Sequence, residues 1–169
     1  MVDIVAPSPE LTAQIEDLLD HAFGADRHSK TSYRYRECVG PVESLSRVVM
    51  SGDEMLGSIQ FWPARLGDET VLLLGPIALW AGYVGQGVGS CLMNHALAAA
   101  RAEGWQHVFL VGDPTYYRRF GFKLAAKWGV TMPGEDPARF QYLPLGTAEP
   151  PPGLLLPVET SVFATDGAA

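Results

Sequence analysis

Cysteine is scarce, basic residues are outnumbered and long apolar runs are missing, and each shortage removes a class of protein. The chain of 169 residues has two cysteines, Cys38 and Cys91. At 53 positions apart they form no metal-type pair and read as free thiols in a reducing cytosol. Lys and Arg number 12 against 19 Asp and Glu, a net charge of −7. Nucleic acid is thereby excluded as a bulk partner, because phosphate binding needs a basic footprint. The same balance mildly favours a cationic substrate such as an amine. No apolar run approaches the roughly 18 residues of a membrane span. No basic stretch precedes an apolar one at Met1-Val2-Asp3-Ile4, so no signal peptide is expected, no membrane partner, and a cytoplasmic location. His95 has no second His, Cys or carboxylate at ligand spacing, so no metal is expected. What remains is 47% apolar residues in a length that suits a single domain, 1–169, with a sizeable core.

The stretch that carries most information is Tyr83-Val84-Gly85-Gln86-Gly87-Val88-Gly89-Ser90. It follows an apolar run, Val71 to Leu79, and opens a helical pattern, Val88 to Glu103. Three glycines at alternate positions remove Cβ where strand turns to helix, so a ligand can approach the backbone closely. The N–H groups there stand at a helix N-terminus, where the dipole favours negative charge. The expected element is a diphosphate cradle. A P-loop would need a Lys after the glycines, and none follows. A dinucleotide fold would need Gly-x-Gly-x-x-Gly, whereas this spacing is Gly-x-Gly-x-Gly.

Val84 to Gly89 resembles, in register, the Gln/Arg-x-x-Gly-x-Gly/Ala acyl-CoA loop of the GNAT N-acyltransferases, with Val84 where Gln or Arg is usual. Tyr116-Tyr117-Arg118-Arg119-Phe120-Gly121-Phe122 resembles that family's Tyr-x-x-Leu/Phe-Gly-Phe segment at the expected distance. The resemblance is clear from Gly57 to Phe122. It implies an α/β (α+β) domain whose mixed six- or seven-stranded sheet is flanked by helices, with two central parallel strands splayed apart. Those strands would be Thr70–Leu79 and Trp105–Val111. It implies acetyl-CoA as cosubstrate, with Ile77 and Leu79 offering backbone groups to the pantetheine arm and Val84, Gly85, Gln86, Gly87, Gly89 and Ser90 holding the diphosphate. The activity implied is direct acetyl transfer to a primary amine, either a small molecule or a protein N-terminus or lysine; a homodimer is compatible with it. A non-catalytic module that binds acyl-CoA is the alternative, and Tyr117 argues for the enzyme.

Elsewhere, the pattern predicts a strand at Val2–Ala6 and a helix from Pro9 to Phe23, capped by Ser8 and ended by Gly24. Arg27 to Glu37 interleaves Arg27, His28, Lys30, Arg34 and Arg36 with Tyr33 and Tyr35. It reads either as a solvated short helix or loop, or as an acceptor-site segment in which the tyrosines shape a pocket and Arg34 or Arg36 meets an acidic group. Val42–Met50 and Glu54–Trp62 read as strands about a turn at Ser51-Gly52-Asp53, with Pro63 ending the second. Gly75-Pro76 predicts a bulge in the next strand. The helix at Val88–Glu103 is expected to bury Val88, Cys91, Leu92, Ala96 and Ala99. Phe122–Val130, Phe140–Leu145 and Leu154–Phe163 complete the strands. Seven of the 13 prolines fall in the last 37 residues, which excludes one continuous helix there.

Direct transfer requires an oxyanion donor, an acid for the departing thiolate and a base for the ammonium. A backbone N–H near Leu79 suits the first. The resemblance assigns the second to Tyr117, because the register Tyr117-x-x-Phe120-Gly121-Phe122 selects it over Tyr116. Adjacent helical residues point about 100° apart, so one of the pair alone can face the sulfur. Glu69, at the start of the central strand, is the candidate base; a solvated turn carboxylate is the other reading of it.

Overall fold

The structure, a computed structural model, describes residues 1–37 and 39–158; Cys38, the end of the last expected strand and the tail lie outside the described residues. The chain runs β1 (Asp3–Val5), α1 (Thr12–Phe23), β2 (Arg47–Ser51), β3 (Glu54–Leu66), β4 (Glu69–Leu79), α2 (Val88–Ala102), β5 (His107–Val111), α3 (Pro114–Tyr117), β6 (Lys123–Leu124), β7 (Val130–Thr131), β8 (Phe140–Pro144) and β9 (Gly153–Pro157). Among the described residues seven strands form one path, β1-β2-β3-β4-β5-β8-β6. On that path β4–β5 is parallel and every other pairing antiparallel, so the sheet is mixed. β9 pairs with the far half of β3 and with β7. No helix among the described residues is long and apolar enough to cross a membrane.

The long apolar run of β4 follows from burial on both faces. Leu72 and Leu74 pack with Leu92, Met93, Ala96 and Leu97 of α2. Val71 and Leu73 point the other way, into a cluster with Tyr35, Phe109, Tyr142 and Leu155, as period-2 alternation requires. α1 covers the same sheet through Ile15, Leu18 and Leu19 against Val48, Met55 and Ala78. The bulge expected in β4 is present: Ile59 faces Ile77 and Phe61 faces Leu74, so two steps on β3 oppose three on β4 around Gly75-Pro76.

Four local expectations are corrected. Pro63 does not end β3, which runs on to Leu66 and pairs Pro63 with Leu72. The Phe61 carbonyl accepts from the Val42 N–H on the edge away from β4. By alternation Pro63 turns its missing N–H to that same edge, in the gap between β2 and β9, where no ladder bond is lost. The segment 42–46 is a turn of 3₁₀ helix, Glu43–Leu45, before β2. The segment 122–130 is not one strand: a 3₁₀ turn, Ala125–Trp128, ends at Gly129 with φ 71°, a conformation glycine adopts freely. The buried stripe of α2 includes Met93, Leu97 and Ala100 and leaves Cys91 exposed, since the larger apolar side chains gain more from burial.

Candidate active site

β4 and β5 meet through Leu72–Val108 and Leu73–Phe109 and no further. Beyond that point β4 stays paired with β3 out to Leu79, and β5 stays paired with β8 out to Val111, but the two separate from each other. Trp80 N–H donates to Leu56 O at 3.0 Å, toward β3. Alternation then turns the backbone groups of Leu79 and Ile77 away from β3, into the opening.

At the end of β4 the chain makes a 3₁₀ turn, Ala81–Tyr83, and enters the glycine loop. Gly85 and Gly87 have φ of 83° and 84°, and Gly87 caps α2 in the left-handed region. A Cβ at either would meet nothing within 4 Å, so backbone conformation, not crowding, calls for glycine there. Gly89 differs: its Cβ would lie 3.1 Å from Tyr116 Oη and 3.2 Å from Leu79 Cδ1. The first bonded N–H of α2 is Cys91, on Gly87 O at 3.0 Å, and the N–H groups ahead of it are the orphan donors of a helix start. Gln86 Nε2 folds back on Gly82 O at 2.7 Å, Val84 is exposed, and Ser90 is half-buried in the first turn of α2. Of the six residues expected to hold a diphosphate, Val84, Gly85, Gln86 and Gly87 are exposed at one end of the open strands, Ser90 is half-buried, and Gly89 is buried against Tyr116 and Leu79.

Tyr117 stands across the opening. Asp113 caps α3 by accepting from Thr115 N–H at 2.9 Å, and Pro114 occupies the first helical position. The Tyr117 ring lies so close over Gly112 that a Cβ there would be 2.4 Å from its Cε2. Tyr116 meets it edge-on at 4.9 Å and sends its own hydroxyl to Gly89 instead. Burial pushes the Tyr117 pKa up to about 12; Tyr116 and Asp113 add to the rise and Arg139 opposes it. The phenol is a proton-bearing group at neutral pH.

Tyr117, Ile77 and the bulge share a cavity of about 440 Å³ with Lys30, Tyr33, Arg36, Glu135 and Arg139. The segment 27–37 therefore reaches the opening, as two 3₁₀ turns, Arg27–Ser29 and Thr31–Arg36. Arg27 is buried and clamps the segment to α1: it donates to Asp20 at 2.9 Å, to Glu16 and to the Tyr33 hydroxyl at 3.0 Å. Burial alone would lower its pKa, but these hydrogen bonds outweigh it and the pKa is raised. Tyr35 turns into the core and donates to Leu155 O at 2.6 Å, so Tyr33 lines the cavity and Tyr35 does not. Arg34 is exposed and outside the lining; Arg36 is the arginine that reaches it. Glu135 and Arg139, absent from the expectations, arrive from the loop before β8.

Glu69 is not brought to Tyr117. It lines a separate hollow with His107 and Trp105, four residues upstream of Leu73 and so about 13 Å back along the strand. Its carboxylate lies 3.2 Å from His107 Nε2 without forming a hydrogen bond. His107 Nδ1 is 2.7 Å from the buried Tyr142 hydroxyl. Burial lowers the His107 pKa, against the pull of Glu69.

Residues 12–122 match the Acetyltransferase (GNAT) family, and the chain belongs to that family of acyl-transferring enzymes. The match begins in α1, well upstream of Gly57. The uncharacterized N-acetyltransferase YhbS of Escherichia coli K12 is 31% identical over 115 residues, 66% of this chain and 68% of that protein. The crystal structure of Escherichia coli YhbS in complex with CoA superposes with a TM-score of 0.78 at 26% identity, over 91% of this chain and 88% of that one. A GNAT family acetyltransferase from Brucella melitensis, in complex with acetyl-CoA, gives 0.70 at 26% identity, over 96% and 98%.

Proposed function

We propose that this protein is an N-acetyltransferase that moves an acetyl group from acetyl-CoA to a primary amine by direct attack in a ternary complex. The observation that carries this is the open end of β4 and β5, where unpaired backbone faces a half-buried phenol. The glycine loop at its edge supports diphosphate binding, and two structural relatives hold CoA or acetyl-CoA. In this reading Ile77 and Leu79 bind the pantetheine arm, and Val84, Gly85, Gln86, Gly87, Gly89 and Ser90 hold the diphosphate.

The amine nitrogen attacks the thioester carbonyl, a C–N bond forms, and the oxyanion is met by a backbone N–H near Leu79. The C–S bond then breaks, and Tyr117 gives its proton to the sulfur as the thiolate develops. Donation from a phenol near 12 to a thiolate near 8.5 is uphill, so the phenolate is short-lived and recovers its proton from solvent. The proton lost by the amine goes to a carboxylate. Glu135 suits that role better than Glu69, because it lines the cavity that Tyr117 lines. The exposed thiol of Cys91 fits a reducing cytoplasm.

The test is amine-dependent release of free CoA thiol from acetyl-CoA, with the acetylated amine identified by mass. Tight acetyl-CoA binding with no turnover of any amine supplied would make the protein a binding module instead.

A further inference from the structure

The acceptor cavity carries positive charge that the protein itself leaves unanswered. Among the described residues Lys30, Arg36 and Arg139 line it against one carboxylate, Glu135, inside a chain whose net charge is −7. Lys30 and Arg139 are exposed, at the rim. Arg36 lies deeper, its guanidinium carbon 4.0 Å from the Tyr33 ring centroid and 5.5 Å from that of Trp62. Its Nε is buried and has no hydrogen-bond partner. Among the described residues no carboxylate comes within 4.0 Å of it. Glu16 and Glu37 line the hollow on its other side, but Arg27 already binds Glu16.

Arg27 is the internal control. It belongs to the same short segment, is more deeply buried, and has two carboxylates beside it. A buried cation without an anion is unfavourable, and removing water from Arg36 pulls its pKa down. An anion arriving beside it would reverse both effects. Its Nη2 lies 3.5 Å from where a Cβ on Gly75 would stand, so the guanidinium sits at the bulge, beside the place where the strands open.

We propose that the acceptor carries a carboxylate a few bonds from its amine, as an amino acid does, and that Arg36 receives that carboxylate. The proposal rests on the acetyl-transfer reading above. A guanidinium binds a carboxylate through two parallel N–H···O bonds and so sets orientation as well as affinity. With the carboxylate on Arg36, the ammonium is directed toward Glu135 and the thioester. Lys30 and Arg139 add attraction at the entrance. A lysine side chain or a peptide N-terminus within a protein offers no carboxylate at that spacing.

The experiment is thiol release at saturating acetyl-CoA with the twenty amino acids and β-alanine, each beside its amide. We expect the parent to prefer acid over amide in kcat/KM by on the order of 10²-fold, because the amide leaves the half-buried arginine unpaired. Arg36→Met should shrink that preference to below about 3-fold. Arg36→Lys, which keeps charge and loses the fork, should fall between. Arg139→Gln, at an exposed position with little folding risk, should reduce the preference about 3-fold through KM. Acetyl-CoA calorimetry on each variant reports folding and cosubstrate binding separately. Equal turnover of acids and amides by the parent overturns the proposal, as does turnover of no acid while acetyl-CoA binds normally. Survival of the preference in Arg36→Met overturns it too. If Arg36→Met fails to fold, the parent's own acid-to-amide ratio decides. Failure of the parent to bind acetyl-CoA would overturn the transfer reading itself.

Discussion

The two ends of the β4–β5 pair are made of the same strands and solve opposite problems. At the closed end Leu72–Val108 and Leu73–Phe109 join the strands. His107 there has Tyr142 on one nitrogen and Glu69 beside the other. At the open end the strands part, the backbone of Ile77 and Leu79 faces the gap, and Arg36 stands without a carboxylate. A cationic group with a carboxylate beside it is answered from within, and one without is available to an anionic ligand. Residue type alone does not separate the two: Glu69 and Glu135 are both glutamates, and Glu135 is the one at the open end.

That contrast can be broken most severely at the glycine loop. Gly87→Glu puts an L side chain at φ 84° and a negative charge at the start of α2. Acetyl-CoA affinity by calorimetry should fall by on the order of 10²-fold or more, with the thermal melt showing a folded variant. Unchanged affinity would remove the loop from the site. Next comes the phenol. Tyr117→Phe should lower kcat by on the order of 10²-fold with acetyl-CoA affinity nearly constant, and Tyr116→Phe should cost far less. Full kcat in Tyr117→Phe, with chemistry shown to be rate-limiting, would assign the acid elsewhere. The carboxylates sharpen the comparison further. Glu135→Gln should lower kcat about 10-fold, since water relays can partly replace a half-exposed base. Glu69→Gln should leave kcat within about 2-fold; the reverse pattern would restore Glu69 as the base. The smallest effect is expected at the closed end. Burial lowers the folded-state pKa of His107, so the unfolded chain takes up a proton first as pH falls below about 6.5. The contribution is present above that pH and is lost as pH drops through the lowered folded value. Denaturation at pH 7 and at pH 5.5 should show less acid sensitivity in His107→Gln than in the parent; equal sensitivity would place the titration in other groups.

Much of the open end was legible because its signals are local. Glycine spacing at a strand-to-helix junction and Gly75-Pro76 inside an apolar run each dictate backbone within a few residues. Glu69 lies away from the open end, and strand polarity carried that signal: it begins the strand whose other end, ten residues on, meets the glycine loop, and ligands in α/β sheets gather beyond the carboxyl ends. Arg36, Glu135 and Arg139 come together from segments about a hundred positions apart, and no periodicity links them. Tyr33 and Tyr35 had the same chemistry in sequence. Only the arrival of β9 beneath the segment decided that one faces the cavity and the other the core.

The Tyr35–Leu155 hydrogen bond spans 120 residues, and during synthesis that separation becomes a delay. At about 5–20 residues per second, Leu155 is made roughly 6 to 24 s after Tyr35. The segment that lines the cavity beside Tyr117 is therefore made well before its anchor. A nascent chain carrying α1 and the basic segment alone cannot hold Tyr33 and Arg36 in their mature places. The glycine loop and α2 pack on β2, β3 and β4, all made before them, so that side of the opening can be set before the side that 27–37 lines.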